Sequence, residues 1–414
     1  MKRKKPAPPR RAVYLVALVL VAATGGVMWL LLRPAPPSPL SLASVRFETL
    51  PGWADSDAGP ALAAFRRSCA VLLREPDSRA MGGAGYAGLI RDWRPVCVEA
   101  AATQSGIANA RAWFEGRFAP FELHTGGARE ALFTGYYEPE IAASRTRHGG
   151  YATPVYGLPR DLVTADLGLF RPDFSGIRIV GRVADGRLMP LPVRAQIDAE
   201  GLDDAPVLLY ARDPVAVFFL HIQGSGRARF EDGTVLRLAY AGQNGHPYTP
   251  VGRVLIENGD IDRQHMSMQA IRAWLLAHPD RAQRMMESDQ SYVFFRELPL
   301  GDPALGSPGS EGVALTPETS IAVDPAMHPL GVPMFLATEA PASDPALPPH
   351  AFARLCIAQD TGGAIKGGLR ADIFWGYGTD AESIAGRMKS TGGIYVLLPK
   401  SLARRIPARL LDGS

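Results

Sequence analysis

Three aspartates in the C-terminal third of this chain have the residue type and setting for acid–base work. Asp324 sits in AVDPAMHPLG, Asp360 in AQDTGGAIKGG and Asp372 in RADIFWG. Each follows or adjoins an apolar, strand-like run. Gly362 and Gly363, behind Asp360, let backbone approach a ligand or a neighbouring strand closely. Acids at strand ends beside Gly-rich turns are what a carboxylate-driven sugar enzyme needs. Asp372 is the sharpest candidate. Its sequence neighbours Ala371, Ile373, Phe374 and Trp375 are apolar, and such a setting disfavours the ionised form and raises the pKa. A raised pKa suits a general acid near neutral pH. The competing reading is structural: an aspartate that ends a strand and binds turn amides. A calcium or magnesium site from the three acids is a further alternative, but the spacing is not that of an EF-hand and no metal is expected.

Two other segments place hydroxyls, an amide and aromatic rings beside glycines. They are Thr134-Gly-Tyr-Tyr-Glu138 and His221-Ile-Gln-Gly-Ser-Gly226. Aromatic faces and amide groups suit sugars, which present apolar ring faces and hydroxyl edges. Strand alternation predicts that one of Tyr136 and Tyr137 is simply core. Standard sites of other chemistries are absent. There is no His-Glu-x-x-His, no Walker A and no Gly-x-Ser-x-Gly, and the eight histidines do not cluster at metal-ligand spacing. No cofactor is expected.

The elements that must position these groups are mostly short strands. Residues from about Phe47 to Ala102 read as helical. Ala131–Ile141 reads as a strand running into a turn. Ile177–Val183 and Val215–Ile222 read as strands, and Arg227–Phe230 with Thr234–Ala241 as a hairpin around Glu231-Asp-Gly233. Ser267 can cap a helix in which Met268, Ile271 and Leu275 share a face. Leu298 to Glu311 is loop-like. Strands resume at Ser320–Val323, Met334–Leu336, Leu355–Ala358, Asp372–Trp375 and Ile394–Leu398, with one helix at Asp380–Lys389. Many short strands with 43 Gly and 36 Pro and no internal repeat favour a barrel over a doubly wound sheet.

The 414 residues allow two domains and a tail. The net charge is +3, and Lys2, Arg3, Lys4, Lys5, Arg10 and Arg11 supply six positive charges, so the remainder is at −3. A weakly acidic body argues against nucleic acid as a partner. The apolar run Ala12–Leu32 is about 30 Å long as a helix, enough to span a bilayer core. Its basic flank predicts a cytoplasmic tail and a body on the other side, held by an uncleaved anchor and a stiff spacer over Pro34–Ser44. The competing reading is a cleaved signal peptide. The run holds no Cys, which excludes a lipoprotein anchor. Of three cysteines, Cys69 lies on a helical stripe with Leu62, Phe65 and Leu72, and Cys97 follows Trp93 in a second helical segment. They are either bridged or two buried thiols. Cys356 reads as core.

FTGYYEPEI, YATPVYGLPRDL, FFLHIQGSGR, YAGQNGHPYTPVGR, MSMQAIRAWL, MESDQSYVFF and the three-aspartate tail, in that order, resemble the MltA family of membrane-bound lytic murein transglycosylases. The likeness runs from about Phe65 to Lys400, and the tail from Ile321 onward resembles the 3D domain. The resemblance implies a mainly β fold: a double-psi β-barrel, interrupted by a second, smaller β-domain, with a few helices and, here, the N-terminal transmembrane helix. Residues 1–33 would be tail and anchor, 34–44 linker, 45–137 and 301–405 the barrel, and 138–300 the insert. It implies Asp372 as the catalytic acid and Asp360 as its supporting neighbour. Thr134, Tyr136, Gln223 and Ser225 would line a sugar groove between the domains. Two departures stand out. The best-known members are lipoproteins, so the missing Cys shifts the expected location to the periplasmic face of the inner membrane. The stretch Gly367 to Ala371 also suggests a different loop length between Asp360 and Asp372.

The implied enzyme is a peptidoglycan lytic exotransglycosylase, a lyase acting on glycan strands. One acid protonates the oxygen between N-acetylmuramic acid and N-acetylglucosamine. It then takes the proton from the sugar's own C6 hydroxyl as that oxygen attacks C1, giving a 1,6-anhydro end. The rival readings are a hydrolase using Asp372 with Asp360 or Asp324, and a non-catalytic wall-binding module. Exo versus endo action, glycan preference, oligomeric state and any partners among cell-wall synthesis proteins are not legible in the sequence.

Overall fold

The computed structural model describes residues 40–102, 110–174 and 177–411. The expected membrane anchor at Ala12–Leu32 lies outside the described residues. Among the described residues, no helix is long and apolar enough to cross a membrane.

One sheet is built from both ends of the chain. Its strands are β1 (Leu40–Ser44), β2 (Phe118–Thr125), β3 (Ala131–Glu138), β13 (Ser320–Val323), β14 (Pro333–Ala340), β15 (His350–Thr361), β16 (Arg370–Tyr377) and β17 (Lys389–Pro399). Six of them, in the order β17-β14-β15-β13-β16-β3, close on themselves because β3 also pairs with β17. The result is a six-stranded barrel with parallel pairs β13–β15 and β16–β3. Strands buried on both faces need continuous apolar runs. β13 is buried at all four positions, and in β17 every residue from Ile394 to Pro399 is buried.

The middle of the chain forms two other sheets. A six-stranded sheet holds β4 (Glu140–Ser144), β5 (Thr153–Tyr156), β9 (Val207–Ala211), β10 (Gly226–Phe230), β11 (Val235–Gln243) and β12 (Val293–Pro299). A three-stranded sheet holds β6 (Leu162–Asp166), β7 (Arg178–Ala184) and β8 (Arg187–Met189). The hairpin expected around Glu231–Gly233 is the β10–β11 pair.

The helices are α1 (Gly59–Leu72), α2 (Ile90–Ala102), α3 (Ala110–Arg117), α4 (Arg194–Glu200), α5 (Pro214–Gln223), α6 (Val251–Glu257), α7 (Met268–Ala277), α8 (Pro279–Glu287), α9 (Thr379–Arg387) and α10 (Lys400–Ala403). α1 buries the stripe Leu62, Phe65, Cys69 and Leu72. Phe65 meets Phe118 of β2 edge-on at 5.7 Å, which seats α1 on the main core. Cys69 and Cys97 are bridged, joining α1 to α2 with their Cα atoms 5.0 Å apart. Cys356 is a buried free thiol in the barrel. Ser267 caps α7 by accepting from Ala270 N.

One expected strand is instead a helix. Val215–Ile222 is not a strand but most of helix α5. An unbroken apolar run fits a buried strand and a buried helix equally. The start signal decides it: Asp213 accepts from Val215 N at 2.8 Å as an N-cap, and Pro214 opens the first turn. Gly224, at φ 75°, ends the helix in the left-handed region where a side chain is strained. This places Gln223 at the end of a helix.

Candidate active site

Register brings the two acids into one row across the barrel wall. Thr134 of β3 pairs with Asp372 of β16, Asp372 with Ala322 of β13, and Ala322 with Asp360 of β15. Side chains opposite each other in register share a face. The methyl group of Ala322 therefore separates two carboxylates across a single strand. A register irregularity between Ile321 and Ala322 lets the β13–β15 pairing skip one residue, which aligns Asp360 with this row.

The apolar wall around Asp372 is only in part the one its sequence neighbours suggest. Ala371 and Ile373 point to the opposite face and join the main core. Phe374, two residues on, shares the face of Asp372. It packs with Tyr136, Leu315, Ala322 and Ile365 in a separate small cluster. Burial on this patch raises Asp372 to about 6, against the lowering effects of the Thr134 hydrogen bond and the Arg370 charge. Asp360 adds to the rise by like charge.

The two acids differ in how their oxygens are used. Thr134 Oγ1 donates to Asp372 Oδ1 at 2.6 Å. No other hydrogen bond reaches this carboxylate among the described residues, so Oδ2 is left for other work. Asp360 is more heavily engaged. Its Oδ1 accepts from Ser310 N and Ser310 Oγ at 2.9 Å each and from Thr361 N at 2.8 Å. Its Oδ2 accepts from Tyr136 OH at 2.9 Å. Burial pushes Asp360 up, while these four donors pull it down. Burial, and then the Asp360 charge, hold the Tyr136 phenol well above its ordinary value, so it stays a neutral donor. Asp324, the third acid, is structural: Oδ1 accepts from Ala326 N and Oδ2 from Gly367 N at 2.8 Å.

The groove beside these acids has a volume of about 340 Å³. Its barrel side presents Asp372, Asp360, Tyr136 and the turn Gly362-Gly363, and its other side presents Gln223 and Tyr248. Gln223 also has a structural task. Its Oε1 accepts from Tyr137 N at 3.0 Å, tying the end of α5 to β3. Tyr137 lies in the main core and Tyr136 on the groove face, as strand alternation predicts. Ser225 is half-buried in the turn after α5 and is not on the groove wall. Thr134 lies one strand from Asp372 and is committed to it.

The sequence reading missed Ser310 and gave Arg370 no role. Ser310 lies 50 residues from Asp360 in a loop, and its approach depends on Gly309. A Cβ at Gly309 would meet Gln359 O at 2.6 Å, so only glycine lets the loop lie this close to β15. The loop is held from behind by the buried pair Glu138–Arg227. Glu138 also accepts from Ser307 N, and Arg227 donates to Pro303 O at 3.0 Å.

Fold and site together define a barrel protein with one poised acid in an open groove. The comparisons narrow this. Residues 132–296 match the MltA specific insert domain and residues 319–398 the 3D domain. Membrane-bound lytic murein transglycosylase A of Escherichia coli (strain K12) is 34% identical over 267 residues, 64% of this chain and 65% of that protein. The chain thus aligns with just under two thirds of that relative's length. The crystal structure of a membrane-bound lytic murein transglycosylase from Agrobacterium tumefaciens superposes with a TM-score of 0.76 at 32% identity, over 89% of this chain and all of the other. E. coli MltA with bound chitohexaose superposes with a TM-score of 0.60 at 26% identity, over 88% and 95%. The chain belongs to the MltA family.

Proposed function

We propose that this chain is a lytic transglycosylase that cleaves the β-1,4 bond between N-acetylmuramic acid and N-acetylglucosamine in peptidoglycan and leaves 1,6-anhydro ends. The observation that carries the reading is the inequality of the two acids. Asp360 has both oxygens occupied by four hydrogen bonds, whereas Asp372 has one oxygen held by Thr134 and the other open. A two-carboxylate hydrolase needs a second group free to activate water or attack the sugar. Asp360 is not free to do either, and Asp324 is tied to backbone amides.

In this mechanism Asp372 is protonated at the start, which a pKa near 6 makes accessible at mildly acidic to neutral pH. Its Oδ2 delivers the proton to the glycosidic oxygen, and that C–O bond breaks. The same oxygen then accepts the proton of the C6 hydroxyl, whose oxygen closes on C1. No water enters, and Asp372 ends protonated as it began. An internal nucleophile has a high effective concentration, which replaces an activated water. Asp360 supports the site by its negative charge and by fixing Tyr136. Tyr136 and Gln223 bind sugar from the groove wall, Ser225 joins them from the turn that follows α5, and Thr134 serves through Asp372. The chitohexaose bound to the E. coli protein is a sugar chain of the kind such a groove would take.

The finer architecture follows the same reading. The six-stranded ring with its two parallel pairs supports a double-psi barrel of about residues 45–137 and 301–405. The two other sheets, all from Glu140 to Pro299, support an insert of about 138–300. The basic cluster followed by the apolar run supports an inner-membrane anchor with the body in the periplasm.

Mass analysis of products from purified peptidoglycan tests the reaction. The expected products lack a reducing end and are one water lighter than those of a lysozyme. Reducing-end muropeptides as the primary product would falsify the transglycosylase reading. A clear zone in a cell-wall gel zymogram distinguishes either enzyme from a binding module.

A further inference from the structure

Arg370 precedes Asp372 by two residues on β16, so both side chains leave the same face of the strand. Arg370 Nη2 donates to Thr134 Oγ1 at 2.7 Å, and its Nη1 braces against Leu132 O and Ala371 O. A guanidinium has no acceptor, so Thr134 Oγ1 accepts from it. A threonine hydroxyl has one proton. With Arg370 taking a lone pair, that proton points along the 2.6 Å contact to Asp372 Oδ1. The chain Arg370 to Thr134 to Asp372 thus has a single direction, and Oδ1 is permanently the accepting oxygen.

Resting on the reading that Asp372 is the acid, we propose that Arg370 is a positioning residue which, through Thr134, makes Oδ2 the oxygen that carries the transferable proton and aims it into the groove. Without this relay either oxygen could be protonated and Thr134 could rotate away. The arrangement also sets charge. Arg370 counters part of the rise that burial imposes on Asp372. The other charged or titratable groups around the row are Asp360 and Tyr136 on the groove face and Lys389 of β17, which pairs with Thr134 on the side away from Asp372. β13 contributes only Ala322 to this row. The Glu382 of α9 lies beyond the opposite face, where it meets Tyr137 and Arg272.

The test compares the full chain with Arg370→Gln, Arg370→Lys, Thr134→Val, Thr134→Ser, the double variant Arg370→Gln/Thr134→Val, and Asp372→Asn, on soluble peptidoglycan fragments. Arg370→Gln and Thr134→Val should each lower kcat about 10- to 100-fold, the scale of lost alignment. KM should stay within about twofold. The double variant should be no worse than either single, because both break one relay. Thr134→Ser keeps the hydroxyl and should retain most activity. In Arg370→Gln the alkaline limb of kcat/KM should move up by about one pH unit, because loss of a nearby cation raises a carboxyl pKa. Arg370→Lys keeps the charge and should leave the limb near its original place.

Additive losses, a change confined to KM, or an unmoved limb in Arg370→Gln overturn the positioning role while leaving Asp372 as the acid. An active Asp372→Asn overturns the acid assignment, and this inference with it. Circular dichroism and thermal midpoints of the variants separate misfolding from misalignment. A variant that misfolds leaves Thr134→Val, which removes only the relay hydroxyl, to decide the matter.

Discussion

Thr134 and Asp372 lie side by side in register on the parallel strands β3 and β16, joined by a 2.6 Å hydrogen bond between residues 238 apart in sequence. The candidate acid is thus set by pairing between strands far apart in sequence. That pairing leads directly to the behaviour expected of the acid.

Asp372→Asn cannot give or take a proton but nearly preserves volume. Turnover should fall by at least about 10²-fold, the lower end for removing general acid–base catalysis, while glycan binding survives. To act as the proposed acid, Asp372 must start protonated in the unmutated protein. Its pKa is raised to about 6, so kcat/KM should decline as pH rises through that value. An alkaline limb far from pH 6, or full activity of Asp372→Asn, would remove this residue from the role.

Asp360→Asn should be milder. The amide oxygen can take the Ser310 and Thr361 donors, and the amide nitrogen can face Tyr136, whose hydroxyl can turn to accept. Activity should drop less than in Asp372→Asn, and Tyr136→Phe should act in the same modest range. Equal loss at the two aspartates would favour a two-carboxylate hydrolase instead.

Much of this was legible in the sequence, and the failures have physical causes. The strands at Ser320–Val323, Leu355–Ala358 and Asp372–Trp375 stand out because a closed barrel buries both faces and so needs apolar runs. Asp360 and Asp372 stand out because acids interrupt those runs. Val215–Ile222 misled because a buried helix hides its period, although Asp213-Pro214 marked its start. The apolar setting of Asp372 was right in sign and, for Phe374, in detail. Alternation turns Ala371 and Ile373 away, and the rings that desolvate the acid come from Tyr136 and Phe374. Ser310, Gly309 and the Glu138–Arg227 brace are non-local contacts, and no local pattern encodes them.

The bridge between Cys69 and Cys97 should matter for stability more than for chemistry. It closes a sequence separation of 28 residues and should contribute about 2–4 kcal/mol. The double variant Cys69→Ser/Cys97→Ser should therefore have a lower thermal midpoint and near-normal activity at 25 °C. The midpoint of the unmutated protein should fall on reduction, whereas that of the double variant should not. Identical midpoints with and without reductant would show that the pair is not bridged in solution.

The Glu138–Arg227 pair is nearly inaccessible to solvent and holds the loop that delivers Ser310. Removing one partner leaves a buried charge without its counterion, at a cost of about 3–5 kcal/mol. Arg227→Met should thus destabilise strongly, and any surviving folded protein should resemble Asp360→Asn in activity. Urea denaturation gives the first quantity and turnover at low temperature the second. A loss under about 1 kcal/mol would mean that the pair is dispensable.

His328 should make the fold acid-sensitive. It is fully buried within the Asp324 motif AVDPAMHPLG. Its Nε2 lies 2.8 Å from Gly368 O, which can only accept, so Nε2 carries the proton. Nδ1 is then the acceptor for Tyr86 OH at 2.9 Å. Both nitrogens are satisfied in the neutral ring, and a second proton would have to displace the tyrosine hydrogen. Burial accordingly lowers its pKa to about 4. Between pH 6.5 and 4 the unfolded chain binds a proton on this ring that the folded chain refuses. Stability is full above pH 6.5 and is lost as pH falls towards 4, by on the order of 3 kcal/mol. His328→Gln offers an amide that cannot titrate. It should be less stable at pH 7 but lose less between pH 7 and 4.5 than the unmutated protein does. Urea midpoints at the two pH values measure the difference, and parallel losses in both proteins would show that His328 already binds its proton in the folded state.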